Sequence, residues 1–147
     1  MPAARPALAP LGLLLDTKVV LDLALKRPPW GREAALLLDA VVRGRARGFI
    51  AAHAITTVYY VVEKEAGRTA AVTAVGDVLS ILEVVPLGEA EFYRALALGL
   101  KDFEDAVQVA ACLAADADYL VTRNGKDFKG GGVTIRTPGE VLAILPP

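Results

Sequence analysis

Short apolar runs, each handed directly to a helical period, constrain this chain more than any other feature. Gly12-Leu13-Leu14-Leu15 ends on Asp16, and after Thr17 the residues Val20, Leu21, Leu23 and Ala24 recur at helical spacing. A short apolar run without alternation is a strand buried on both faces, and such strands belong to parallel sheets covered by helices. The pattern returns at Gly48 to Ala52, which precedes a helical period through Ile55, Val58, Tyr59 and Val62. It returns again at Asp118 to Thr122, and more weakly around Val133 to Arg136, before Pro138 opens a last helix ending near Leu145.

Between these runs the spacing predicts helices over about 32–42, 68–82, 89–100 and 102–115. The last of these turns Phe103, Ala106, Val107, Ala110 and Leu113 inward. Glu83 to Leu87 reads as a strand that Pro86 confines to an edge or an end. The expected fold class is therefore α/β, a three-layer α/β/α arrangement around an open, mainly parallel sheet. Residues 1–11, with three prolines and one arginine, read as a short mobile arm, and 12–147 as a single domain.

Composition narrows the function classes. With 147 residues, 54% apolar and 22% charged, the chain can bury a self-sufficient core, which excludes a disordered protein. The single cysteine, Cys112, cannot close an internal disulfide and reads as a small core residue. No apolar run approaches the ~18 residues of a spanning helix, and the N-terminus is poor material for a signal peptide, so a soluble cytoplasmic protein is expected. A net charge of −1 gives no global attraction for nucleic acid, so a polyanion would be drawn by a local basic patch.

Open parallel sheets bind ligands beyond the carboxyl ends of their strands. Asp16 ends the first strand, His53 follows the second, and Thr122-Arg123-Asn124 with Asp127 follows the fourth; Asp102, Glu104 and Asp105 open the helix before it. Oxygen donors of this kind suit a hard cation such as Mg²⁺, which uses one or two carboxylates and keeps its waters. Such an ion activates water for phosphodiester cleavage without a covalent nucleophile. Lys18, Arg123 and Lys126 stand beside these positions as phosphate contacts, and Thr122 can hold a water or a phosphate. Ordinary roles compete: Asp16 is also placed to cap a helix, Asp102 is the better N-cap of the late helix, and His53 suits a strand-end hydrogen bond. The Arg43, Arg45 and Arg47 cluster follows a helix exit at the opposite end and reads as a solvated turn. Gly130-Gly131-Gly132 precedes a strand, whereas phosphate-binding loops precede a helix.

Four ordered segments resemble the PIN domains, in particular the VapC-type toxin nucleases: Leu14 to Asp22, His53 to Tyr60, Lys101 to Gln108, and Asp118 to Phe128. The resemblance covers nearly all of 12–142. It implies a ribonuclease that cleaves single-stranded RNA with Mg²⁺ or Mn²⁺, is usually a homodimer, and is often silenced by a small antitoxin. It places the principal metal ligands on Asp16 and Asp105, and the fourth family position on Asn124, with Asp127 as a second candidate. Two positions depart from the family pattern. Lys18 stands where Asn is usual, and Thr57 stands where the family has Glu. These departures define the alternative, a catalytically weak or inactive PIN-like module that binds RNA or a protein.

Overall fold

The computed structural model describes residues 9–147; most of the expected N-terminal arm lies outside the described residues, and Leu11 already belongs to the first strand. The elements run β1 (Leu11–Leu15), α1 (Thr17–Ala24), α2 (Trp30–Val42), β2 (Ala46–Ala51), α3 (Ala52–Ala66), α4 (Arg68–Ile81) and β3 (Glu83–Val85). They continue with α5 (Glu89–Ala97), α6 (Phe103–Ala114), β4 (Tyr119–Val121), a 3₁₀ turn (Gly125–Phe128), β5 (Ile135–Arg136) and α7 (Pro138–Ile144). All strand pairs are parallel, in the order β3-β2-β1-β4-β5. The α/β sandwich expected from the apolar runs is the fold observed.

Successive residues of a strand point to opposite faces, so a continuous apolar run needs cover on both. Leu13 and Leu15 enter one core with Ile50, Val121, Val20, Leu37, Val58 and Val141, while Leu14 enters the other with Phe49, Leu120, Val109, Cys112 and Phe128. In the central register Leu14 is flanked by Phe49 on β2 and Leu120 on β4. β3 is an edge strand that stops before Pro86, as the missing N–H of proline requires. Gly67, at φ +93°, permits the abrupt junction between α3 and α4.

The structure corrects several local expectations. β2 starts at Ala46, two residues early, because Arg47 pairs opposite Gly12 and carries its charge out to Glu83 at 3.3 Å. α2 begins at Trp30 and the fifth helix stops at Ala97. Phe103 and Leu113 point outward rather than inward; α6 is buried through Ala106 to Cys112, and only its ends reach solvent. Among the described residues no helix is long and apolar enough to cross a membrane.

The sheet order positions the site. From β1 the chain proceeds to β2 and β3 on one side, and it later crosses to β4 and β5 on the other. The carboxyl ends of β1 and β4 therefore border the topological switch point, where an open sheet leaves a crevice.

Candidate metal centre

Asp16 stands at that crevice. It is 4% exposed and occupies the N-cap position of α1 with an extended backbone, yet its carboxylate makes no capping hydrogen bond to the helix. Instead the Thr122 hydroxyl, from the end of β4, donates to Asp16 Oδ2 at 2.9 Å, and the Asp16 N–H donates to the Val121 carbonyl at 2.9 Å. Two strand ends are thus tied together through the acid itself. Thr122 holds Asp16 rather than a substrate phosphate.

The other acids arrive on α6. Asp102 is the N-cap, its Oδ1 accepting from the Asp105 N–H at 3.1 Å, which is the ordinary capping role. Around this first helical turn, carboxylate oxygens of Asp102, Glu104 and Asp105 lie within 4.8 Å of one another. Glu104 Oε1 faces His53 Nε2 at 3.2 Å and the Thr17 hydroxyl at 3.5 Å. Gln108, one turn beyond Glu104 and fully buried, donates from Nε2 to the Thr17 hydroxyl at 2.9 Å and leaves its Oε1 without a partner among the described residues. His53, expected to make a strand-end hydrogen bond, makes one to Glu104.

Electrostatics show the crowding. Burial pushes the Asp16 carboxyl up to about 6, and Glu104 adds to the rise, against the Thr122 hydroxyl and Lys18. Asp105 is also pushed up to about 6, first by burial and then by Asp102, Asp16, Glu104 and Asp127. Glu104 moves the other way, held below its ordinary value chiefly by the hydrogen bond from His53. Carboxylates from β1 and α6 therefore feel one another's charge, and a divalent cation relieves such repulsion. The donor set is all oxygen, with one buried amide oxygen unsatisfied close by, and it fits a hard divalent ion.

An open cleft of about 630 Å³ continues from these acids, lined by Asp102, Glu104, Asp105 and Asp127 together with Lys18, Lys101, Lys126 and Lys129. Lys18 and Lys126 border the acids, and Asp127 sits on the cleft wall. Asn124 contributes through its backbone, donating its N–H to the Thr122 hydroxyl at 3.2 Å. Arg123 departs from expectation: its guanidinium turns to Asp22 at 2.9 Å and lies over Trp30, which spends it away from the phosphate path. The Arg43, Arg45 and Arg47 cluster is solvated, pairing with Asp39, the Pro146 carbonyl and Glu83.

Sequence reasoning placed no role on Gln108 or Thr17 and left Glu104 outside the ligand set. The available signal was Gln108 itself, a polar residue one helical turn from Glu104 within an alanine- and valine-rich helix.

The comparisons agree with this geometry. A family model described as PIN domain matches residues 12–126. The chain belongs to the PIN domain family. Over 91 residues it is 33% identical to Ribonuclease VapC1 of Aquifex aeolicus (strain VF5), a match covering 58% of this chain and spanning 62% of the length of that relative. Its fold is similar to that in the crystal structure of VapBC2 from Rickettsia felis bound to a DNA fragment from their promoter. There the TM-score is 0.70 at 18% identity, covering 86% of this chain and 98% of that one. It is also similar to a toxin-antitoxin complex from Klebsiella pneumoniae, with a TM-score of 0.63 at 26% identity, covering 86% and 97%.

Proposed function

We propose that this protein is a divalent-metal-dependent endoribonuclease of the VapC type that hydrolyses single-stranded RNA, the toxin of a toxin-antitoxin pair acting in the cytoplasm. The observation that carries the reading is that the Asp16 end of β1 meets the start of α6, Thr17 donating to Glu104 at 3.5 Å, so that a buried Asp16 and the α6 acids lie close enough for the charge of Glu104 to add to the rise that burial gives Asp16. Asp16 and Asp105 are the principal ligands, with Glu104 supplying the charge that Thr57 lacks. Asn124 and Asp127 are accessory groups. When bound, Mg²⁺ or Mn²⁺ supplies an acidified water and offsets charge on the departing oxygen. Thr122 and Thr17 orient Asp16 and Glu104, His53 holds Glu104 ionised, and Lys18 and Lys126 on the cleft wall draw the phosphate backbone.

The Klebsiella pneumoniae relative, a toxin-antitoxin complex, supports a small antitoxin as partner. A homodimer is the proposed assembly.

The test is cleavage of a single-stranded RNA with Mg²⁺ and with Mn²⁺, for the parent and for Asp105→Asn. Cleavage by the parent that chelator abolishes and that Asp105→Asn lacks is the expected result. RNA binding without metal-dependent turnover in the parent would overturn it in favour of a non-cutting RNA-binding module, the reading motivated by Thr57 and Lys18.

A further inference from the structure

Arg123 leaves the sheet at the end of β4, immediately after the threonine that holds Asp16. Its Nε and Nη2 donate to the two oxygens of Asp22 at 2.9 and 3.3 Å, and its guanidinium carbon lies 3.7 Å from the centre of the Trp30 ring. The Asp22 side chain is 2% exposed. Its second cation, Arg27, is 4.0 Å away and is shared with Glu65 on α3. A two-pronged guanidinium on a buried carboxylate fixes orientation as well as distance, because both bonds must form together, and the Trp30 ring against the guanidinium restricts it further.

The segment that follows has few other restraints. Among the described residues no side-chain hydrogen bond or ion pair is made by residues 125–129; the 3₁₀ turn is closed by backbone bonds such as Asp127 N–H to the Asn124 carbonyl at 3.1 Å. At its far end Phe128 is sealed into the second core at 2% exposure. Asp127 and Lys126 therefore hang between Phe128 and a polar, directional side made of the Arg123 fork and the Asn124 N–H donated to the Thr122 hydroxyl at 3.2 Å.

We propose that Asp22 and Arg123 form a clamp that sets where Asp127 and Lys126 stand over the acidic cleft. The proposal rests on reading that cleft as the nuclease centre. Arg123 touches neither the acids of the cleft nor its wall, so it is a positioning residue acting through the 124–128 loop. The partner acid sits in α1, six residues after Asp16, so one short helix carries both the ligand at its start and the anchor of the opposing loop. Trp30 is the only tryptophan, and its emission reports directly on the clamp.

The test uses the full chain with Arg123→Lys, which keeps the charge and loses the fork. Trp30 emission should shift, and the amides of residues 125–128 should exchange about tenfold faster or more, while those of β1 do not. With RNA and Mg²⁺, kcat should fall on the order of 10²-fold with KM held within about twofold, the signature of misplaced catalytic groups. In a double-mutant cycle the losses from Arg123→Lys and Asp127→Asn should combine to less than their product, because Arg123 acts in part by placing Asp127. Unchanged loop exchange, or losses that multiply in the double variant, would overturn the clamp. Asp22→Asn, whose amide oxygen accepts one of the two bonds, should give the same exchange pattern and decides the matter if Arg123→Lys does not fold. A parent without metal-dependent cleavage refutes the nuclease reading alone, and loop exchange still decides the clamp.

Discussion

Replacing Asp16 by Asn removes one buried charge and almost no volume. The Asn side-chain oxygen still accepts the Thr122 hydroxyl that Asp16 Oδ2 accepts at 2.9 Å. The native carboxyl holds its proton up to about 6 against an ordinary value of 3.8. Between those values the native state binds more protons than the unfolded chain, so stability falls as pH rises; above about 6 the penalty is complete, and below 3.8 it is absent. At 1.36 kcal/mol per pH unit the full penalty is about 3 kcal/mol, an upper bound. A domain of this size gains about 2–4 °C in Tm per kcal/mol. In chelator near pH 7.5, Asp16→Asn should therefore melt up to about 6–12 °C above the parent, and the gap should close toward pH 4. Added Mg²⁺ should raise the parent's Tm and leave that of the variant unmoved. Thermal unfolding followed by circular dichroism reads all three. A variant that melts below the parent in chelator at neutral pH, or a gap independent of pH, would refute the claim that this carboxylate is held under electrostatic strain.

Thr57→Glu places a carboxylate one helical turn beyond His53 on α3, where the family has its acid; Mn²⁺ affinity measured by calorimetry should rise severalfold, and no rise would put position 57 out of reach of the site. Gly48→Ala should cost about 1–3 kcal/mol in urea unfolding, since a Cβ there would meet Leu82 Cδ2 at 2.5 Å and the Val41 methyls at 3.1 and 3.2 Å. Phe128→Ala opens a cavity in the second core and should cost about 3–5 kcal/mol; a cost below about 1 kcal/mol would mean that the ring is not a packed anchor.

Much of this molecule was legible along the chain. Leu13, Leu14 and Leu15 without a polar interruption require cover on both faces, and that requirement already implies a parallel sheet with helices on either side. The placing of Asp102 ahead of a helical run identified it as the cap, and the acid that ends the first strand marked the crevice. Local rules failed where a residue's surroundings come from distant elements. Phe103 and Leu113 share the period of α6 but sit at its ends, beyond the reach of the sheet, so they face solvent. Arg123 looked like a phosphate contact because its loop is near the site; only the packing of α1 and α2 showed a buried acid and an indole waiting on the other side.

The amino-acid order alone determined the layers, the strands and which strand ends carry oxygen donors, because those follow from uninterrupted apolar runs and from a period of about 3.6 residues that any neighbouring stretch reveals. Tertiary structure alone decided the lateral order β3-β2-β1-β4-β5, the meeting of Asp16 with Thr122 and the α6 acids, and the direction of Arg123. Burial and charge repulsion depend on separations in space, and no local period encodes those separations.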